Sequence, residues 1–277
     1  MKILINYAND PYRKAQMWNT WTGTHIAGFD RVYEFSPSDI APDYYEQHRD
    51  ILDVPRGNGL WLWKPYLIDR VLGQCDDGDI VFYADSGAFF VKKIDKLLDS
   101  MGEHEKIWVS DNPLLESCFT KPICFERLDC DTEEIRNANQ IQGGFVLLKC
   151  CDETRQFVKQ WLHYCEDYEL MAPEGGLKLT QKRGNGFVAS REDQSILSLL
   201  CKKNGIQAHR DPSQRGNWPE TFYSPCYAYH VPEHPQDHYG TVLFLHKAGN
   251  PGLLTLLREC YITLRSRYRY RKDKKNL

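Results

Sequence analysis

Hydrophobic patterning along the 277 residues predicts an α/β protein, a central sheet flanked by helices. Short apolar runs that read as strands alternate with segments of helical period. One run, Ile80-Val81-Phe82-Tyr83, is apolar without interruption, as in strands buried on both faces. It stops on Ala84-Asp85-Ser86-Gly87-Ala88, a lone carboxylate followed by residues with almost no side chain. The C-terminal edge of such a strand is where open α/β sheets place their ligands.

In chain order, residues 2–7 predict the first strand, broken by Asn9-Asp10-Pro11. Residues 12–30 are polar and aromatic without clear periodicity. Arg31 to Phe35 alternate as a second strand ending at Ser36-Pro37-Ser38, and residues 39–50 read as a helix-containing connection. Gly57, Asn58 and Gly59 supply a flexible turn, and Pro65 suits the first turn of a helix. Leu67, Ile68, Val71 and Leu72 keep helical spacing up to Gly73. Past the 80–83 strand, Ile94, Leu97, Leu98 and Met101 predict a helix, and residues 106–110 a further strand. Residues 111–140 are less regular. Residues 140–149 predict a strand introduced by Gly143-Gly144, and the spacing of Phe157, Trp161, Leu162 and Cys165 an amphipathic helix over 154–168. Residues 172–187, with two glycine-rich patches, read as a mobile loop. Ser190 with Asp193 is a capping signature that opens the next helix. Residues 205–207 restart an extended segment before a turn-rich stretch at 209–216. Val242 to Leu245 predict a last strand ending on His246-Lys247. Beyond Pro251, the residues Leu253, Leu254, Leu256, Leu257, Tyr261 and Leu264 line one broad helical face. Arg-Gly-Asn-Gly occurs at 56–59 and 183–186, but the flanks differ and no repeat follows.

Composition narrows the class. With 42% hydrophobic and 26% charged residues, the chain is ordinary for a soluble globular protein able to bury a proper core. Aromatic content is rich, with 7 Trp and 16 Tyr; flat rings suit stacking on bases or sugars, although core mass accounts for most of them. No apolar run approaches the roughly 20 residues of a membrane span, and the start is too short for a signal peptide. Ten cysteines occur without a Cys-x-x-Cys, and the spacing of Cys118, Cys124 and Cys130 fits no zinc site. Reduced, mostly buried thiols in a cytoplasmic protein are the expectation. Residues 258–277 hold eight Lys or Arg against Glu259 and Asp273, a net +6, which leaves −9 on the rest of the chain. A basic tail on an acidic body points to an anionic surface as partner, and the acidic body argues against nucleic acid.

The chain has no G-x-G-x-x-G, no P-loop and no G-x-S-x-G elbow. What remains is a set of polar residues placed after strands or opening a helix: Asp85, Gln142 before Gly143-Gly144, Asp193-Gln194 and His246. Each alone has an ordinary reading: Asp85 as a turn cap, Gln142 as surface polarity, Asp193 as a carboxylate at a helix start, His246 as a structural imidazole.

Taken together in this order, they resemble the layout of GT-A fold glycosyltransferases. The nearer similarity is to bacterial and viral sugar transferases with Trp-x-Trp-Lys-Pro before Tyr-x-Asp-x-Gly. Here those are Trp61-Leu62-Trp63-Lys64-Pro65 and Tyr83-Ala84-Asp85-Ser86-Gly87. The resemblance covers about residues 1–250. It implies a GT-A-like single domain there, with a mixed, mostly parallel central sheet flanked by helices, followed by an amphipathic helix and basic tail over 251–277. The implied reaction moves a sugar from a nucleotide diphosphate sugar, such as a UDP-sugar, to a hydroxyl of a glycan or lipid-linked glycan. Retention of configuration and a place in surface polysaccharide biosynthesis, lipopolysaccharide or capsule, go with it.

The resemblance also implies site residues. Asp193 and Gln194 would be catalytic, on the sugar side. Tyr7, Lys64, Tyr83, Asp85, Ser86, Gly87, Gln142, Gly143, Gly144, Arg191 and Lys247 would bind the nucleotide sugar. Asp85 and His246 would hold Mn²⁺ or Mg²⁺. Most relatives carry Asp-x-Asp; here Ser86-Gly87 follows Asp85, so the second carboxylate is absent. A hard divalent ion wants several oxygen ligands. The alternative is direct neutralisation of the diphosphate by Lys64, Arg191 or Lys247. A non-catalytic nucleotide- or carbohydrate-binding protein of the same fold is the rival, and the missing carboxylate supports it. An oxidoreductase is disfavoured by the absent glycine fingerprint. His209, Arg210 and Asp211 read equally as acceptor cleft or surface loop. The expected location is the cytoplasm, and the basic tail reads equally as docking on the anionic inner face of a membrane or as a solvated tail behind a packed helix.

Overall fold

Alternate residues of the central strands face two different cores. Ile3, Ile5, Val81, Tyr83, Val146 and Leu148 belong to one buried cluster. Leu4, Phe82, Ala84, Phe145 and Leu147 belong to another. Period-two alternation with both faces apolar makes a sheet that needs cover on both sides. The computed structural model describes residues 1–173 and 186–274. Its strands are β1 (Lys2–Tyr7), β2 (Arg31–Phe35), β3 (Ile80–Ala84), β4 (Ala88–Phe90), β5 (Ile107–Leu115), β6 (Asn139–Ile141), β7 (Phe145–Lys149), β8 (Ala208–His209) and β9 (Leu243–Leu245).

The main sheet has seven strands in the order β2-β1-β3-β7-β5-β6, with β8 also on β5. β1 pairs in parallel with β2 and β3, and β8 in parallel with β5, while β7 runs antiparallel to β3 and β5. Five of the seven strands therefore point one way: the sheet is mixed and mostly parallel, as expected. The helices Trp63–Leu72, Asp152–Cys165 and Asp193–Lys203 bury Leu67, Ile68, Val71, Phe157, Trp161, Leu197 and Leu200 against one face. The other face is covered by Ala27, Phe29, Ile94, Leu97, Tyr239 and Val242. Eight of the ten cysteines are buried. No helix among the described residues is long and apolar enough to cross a membrane.

Several local expectations are corrected. Residues 12–30 contain the helix Arg13–Thr22, whose buried side chains are Ala15, Gln16, Asn19 and Thr22 while Met17, Trp18 and Trp21 stand exposed. An inward face that is mostly polar hides the helical period. The 140–149 segment is two strands, β6 and β7, because Gly143 and Gly144 interrupt the ladder on β5. The capping signature at Ser190 is not used: the helix starts at Asp193, after Glu192 at φ 46°. Glu192 is drawn to Arg56 and Asp193 to Lys64, and those ion pairs displace the cap. β9 joins β4 in a separate two-stranded sheet instead of the main one. Most of the 172–187 loop and the second Arg-Gly-Asn-Gly lie outside the described residues.

The last helix, Leu253–Lys274, runs unbroken through what reads as a helix plus a tail. Its apolar face is real but points outward: Leu254, Leu257, Tyr261, Leu264 and Tyr268 are 58–82% exposed. The docked side is polar and aromatic. Arg267 lies over the Trp218 ring at 4.7 Å, and Tyr270 packs on Tyr223 and Tyr229. Cation–π and aromatic pairs of this kind are worth about 0.5–1.5 kcal/mol each.

Candidate active site

A tight loop ahead of the Trp63–Leu72 helix forms one wall of a cleft at the C-terminal ends of β1 and β3. Gly57, Asn58, Gly59, Leu60 and Trp61 all have positive φ, from 50° to 95°. A left-handed backbone costs a non-glycine residue about 1–2 kcal/mol, so Asn58, Leu60 and Trp61 hold strain that their surroundings must offset. The offset is visible. Asn58 donates a hydrogen bond to the Tyr7 hydroxyl, Trp63 Nε1 donates to Gly57 O at 3.0 Å, and Tyr7 stacks on Trp63 with ring centroids 3.7 Å apart. Gly57 is required as well: a Cβ there would lie 2.3 Å from the Trp61 ring.

Asp85 stands where β3 ends. Its N–H donates to Gly144 O at 2.8 Å, and a Cβ on Gly144 would sit 3.3 Å from Asp85 Oδ2. The Tyr83 hydroxyl donates to Asp85 Oδ1 at 2.5 Å, and Ser86 Oγ donates to Tyr7 O at 2.6 Å. Opposite, the His246 N–H donates to Gly87 O at 2.7 Å. Gly87 has no room for a side chain, since a Cβ would approach His246 O to 2.6 Å. That contact seats His246 and Lys247 in the wall of the same cleft of about 470 Å³, with Asn9, Tyr12, Pro55, Gly57, Asn58, Trp61 and Trp63 around them.

Behind Asp85 lies a charged knot. Lys64 Nζ is 2.7 Å from Asp193 Oδ2, 3.8 Å from Asp85 Oδ1 and 2.9 Å from Gly143 O. Burial pulls the Lys64 ammonium down, but Asp193 and Asp85 outweigh it and the net shift is upward. Burial pushes the Asp193 carboxyl up, with Lys64 pulling it back. The Gly143 N–H donates to Gln194 Oε1 at 3.1 Å, and Gln194 Nε2 donates to Gln140 at 2.7 Å.

The expected site residues fall into three groups. Tyr7, Tyr83, Asp85, Ser86, Gly87, His246 and Lys247 line the first cleft. Gln142, Arg191 and Gln194 line a second cavity of about 420 Å³, to which Lys247 also contributes. Lys64, Gly143, Gly144 and Asp193 form the partition that positions Asp85, and Asp193 itself is sealed beneath Lys64. Gln142 donates to the buried Asp211 at 2.7 Å. His209 sits between Asp237 and Glu105 at 2.9 and 2.8 Å, stacked on Trp108. His209 and Asp211 are therefore structural, and neither a surface loop nor a cleft lining describes them. Asn9, Tyr12, Pro55 and Asn58 in the first cleft, and Arg215 and Arg258 in the second, carry no signal in the sequence beyond a turn and a basic tail.

A metal ion has a partial ligand set here. His246 is buried, and neither ring nitrogen has a well-formed hydrogen bond among the described residues, beyond an interaction with the Ala248 backbone. Burial lowers its pKa, which keeps the imidazole neutral and able to ligate. Asp85 is half-exposed in the same cleft. Among the described residues no three His, Cys, Asp or Glu side chains cluster. One carboxylate and one orphaned imidazole fit a cation completed by ligand oxygens, and Mn²⁺ accepts that mixture more readily than Mg²⁺.

A mixed α/β sheet with a strand-end carboxylate facing a cleft is the class of protein that the fold and this site define. No protein family's profile matches the chain, and no curated protein matches it. Solved structures similar to it include mouse xyloside xylosyltransferase 1 in its apo form, at 10% identity, covering 91% of this chain and 100% of that one, with a TM-score of 0.45. Galactosyltransferase LgtC, in complex with donor and acceptor sugar analogues, is similar at 13% identity over 88% of this chain and 86% of that one, with a TM-score of 0.49. The glycosyltransferase GlyE of Streptococcus pneumoniae TIGR4 is similar at 11% identity over 91% of this chain and 55% of that one, with a TM-score of 0.44.

Proposed function

We propose that the protein is a glycosyltransferase that moves a hexosyl group from a nucleotide diphosphate sugar, UDP-linked in the first instance, to a hydroxyl of a glycan or lipid-linked glycan. The observation that carries this is the placement of Asp85. One acidic side chain at the mouth of a buried strand shares a cleft with His246 and Lys247 and is braced from behind by Lys64. The exposed Tyr12 ring and the partly exposed Trp61 ring offer faces for a base, and Lys247 and His246 in the same cleft support a diphosphate beside them. In the reaction the bond from the anomeric carbon to the diphosphate oxygen breaks, the acceptor oxygen takes its place, and the acceptor hydroxyl's proton passes to the leaving diphosphate. Negative charge then grows on the leaving diphosphate, which Lys247 is placed to stabilise. Asp85 and His246 would hold Mn²⁺, or less readily Mg²⁺, which when bound supplies further charge neutralisation there.

Retention of configuration is the proposed outcome. An inverting displacement needs a free carboxylate base at the acceptor hydroxyl, and Asp193 is buried and engaged by Lys64. Asp193 and Gln194 then act on the sugar side through the partition, Asp193 by fixing Lys64 and Gln194 by facing the second cavity. The donor cleft belongs to residues 1–250, with residues 251–277 as an accessory segment. Its exposed Leu/Tyr stripe, flanked by Arg265, Arg269 and Lys272, fits the anionic inner face of a membrane and with it a role in surface polysaccharide synthesis. The second reading, binding without turnover, is favoured by Ser86-Gly87 standing where a second carboxylate would complete a metal site.

The test is a panel of nucleotide sugars assayed for released nucleotide, with glycan acceptors, Mn²⁺ and parallel EDTA controls. Release from one donor supports the transferase. Binding of nucleotide with no release from any donor overturns it in favour of the second reading.

A further inference from the structure

Several cations that turn inward in this chain sit on a carboxylate. Lys64 has Asp193, Arg56 has Glu192 and Lys202 has Glu116, each within 2.8 Å. The second cavity is different, with Arg191 and Arg215 half-buried and Lys247 and Arg258 exposed. Arg191, Arg215, Lys247 and Arg258 all line it, and none of the four makes an ion pair among the described residues. Arg191 and Arg215 instead lie over the Phe119 and Phe222 rings, at 5.0 and 5.5 Å, contacts that leave their charge unneutralised. Arg191 Nε is buried with no hydrogen-bond partner. Glu259 is the only carboxylate among the lining side chains. Four like charges brought from four separate segments into one cavity repel each other, and a planar guanidinium pair is the geometry that grips a carboxylate or phosphate.

We propose that this cavity binds an anionic group, phosphate or carboxylate, on the saccharide acceptor, and that the last helix, through Arg258, completes the site. The proposal rests on the transferase reading for the word acceptor, not for the anion. Lys247 lines both cavities, so the acid group is held one side chain away from the diphosphate cleft. The amides of Gln142 and Gln194 in the same wall suit sugar hydroxyls.

The experiment titrates the full chain, saturated with UDP, with glucose, glucose 6-phosphate and glucuronic acid, and reads binding by calorimetry. At least one acid is expected to bind ten-fold or more tighter than glucose, and comparison of the two acids tells phosphate from carboxylate. Arg215→Gln and Arg258→Gln should each weaken that binding about five-fold or more, while Arg265→Gln, exposed on the same helix, leaves it unchanged. Equal binding of all three sugars overturns the proposal, as does an equal loss in Arg265→Gln. Competition of the acid by UDP, seen on comparing UDP-free protein, would place the anion in the first cleft and also overturn it. No turnover is needed for this readout. A protein that cleaves no nucleotide sugar but binds the acid through these arginines keeps the site and loses the transferase assignment; one that cleaves donor and shows no preference loses the site alone.

Discussion

Lys64 and Asp193 form a buried ion pair, Nζ to Oδ2 2.7 Å, with both side chains under 5% exposed. Removing one partner of such a pair strands the other charge away from water, which costs about 3–5 kcal/mol. Lys64→Met should therefore lower the urea unfolding free energy by that amount. The double variant Lys64→Met/Asp193→Leu should recover most of it. Additive losses in the double variant would show that the two side chains do not depend on each other.

Asp85 is a different kind of carboxylate, with a side chain 43% exposed. Asp85→Ala should lower unfolding free energy by about 1–3 kcal/mol, because it leaves the buried Tyr83 hydroxyl without its acceptor. Nucleotide release from the active donor should fall about 100-fold or more, the usual loss when charge stabilisation at a leaving group is removed, because Asp85 would hold the cation that neutralises the diphosphate. Release that survives unchanged would remove Asp85 from the chemistry.

Gly57→Ala tests the strained loop. A methyl there meets the Trp61 ring, and φ of 63° is a left-handed value. The expected result is a stability loss of at least about 1–2 kcal/mol, together with a KM for the nucleotide sugar that rises several-fold while kcat moves less. A change in kcat alone would mean that Trp61 does not contact the donor.

His209 predicts a pH dependence of stability. Buried between Asp237 and Glu105, its imidazole is held up to about 9: burial opposes the charged form, and the two carboxylates outweigh it. A folded-state pKa above the unfolded one means stability that is complete below about pH 6.5 and lost as pH rises through about 9. The loss should be on the order of 2–3 kcal/mol. Chemical denaturation at pH 6 and pH 9.5 measures it, and His209→Gln should flatten the difference.

The outward stripe on the last helix predicts membrane retention. Full-length protein should sediment with vesicles containing phosphatidylglycerol and be released by salt, while Leu257→Glu/Leu264→Glu should stay in the supernatant. Both positions are exposed, so the fold is spared. Equal sedimentation of the two proteins would end the idea. A truncation at residue 257 is the poorer test, because it also removes Arg258 and Thr263 from the second cavity.

The central strands and the position of Asp85 were legible because burial on both faces writes itself as unbroken apolar runs, and small residues mark the edge where they stop. Arg13–Thr22 was not legible, since its inward polar side chains are Gln16, Asn19 and Thr22, which bond to Asn6, Phe35, Ala88 and Phe90. The last helix is the mirror image: Leu254, Leu257 and Leu264 face out, and its docked side is Thr263, Arg267 and Tyr270. Lys64 was visible as part of a motif, but its pairing with Asp193 spans 129 positions and has no local signature. The same holds for Arg215 and Arg258, which only the folded chain brings to one cavity.

The small β4–β9 pairing has a consequence for folding. It joins Ala88 to Leu245 and carries His246 and Lys247 to the cleft that β1 and β3 open near the N-terminus. Contacts so distant in sequence form late, after the loop between them has closed. Until residues 243–247 have folded against β4, the main sheet can stand complete while the cleft still lacks the wall that His246 and Lys247 supply, so the cleft forms as a separate, later step than the sheet.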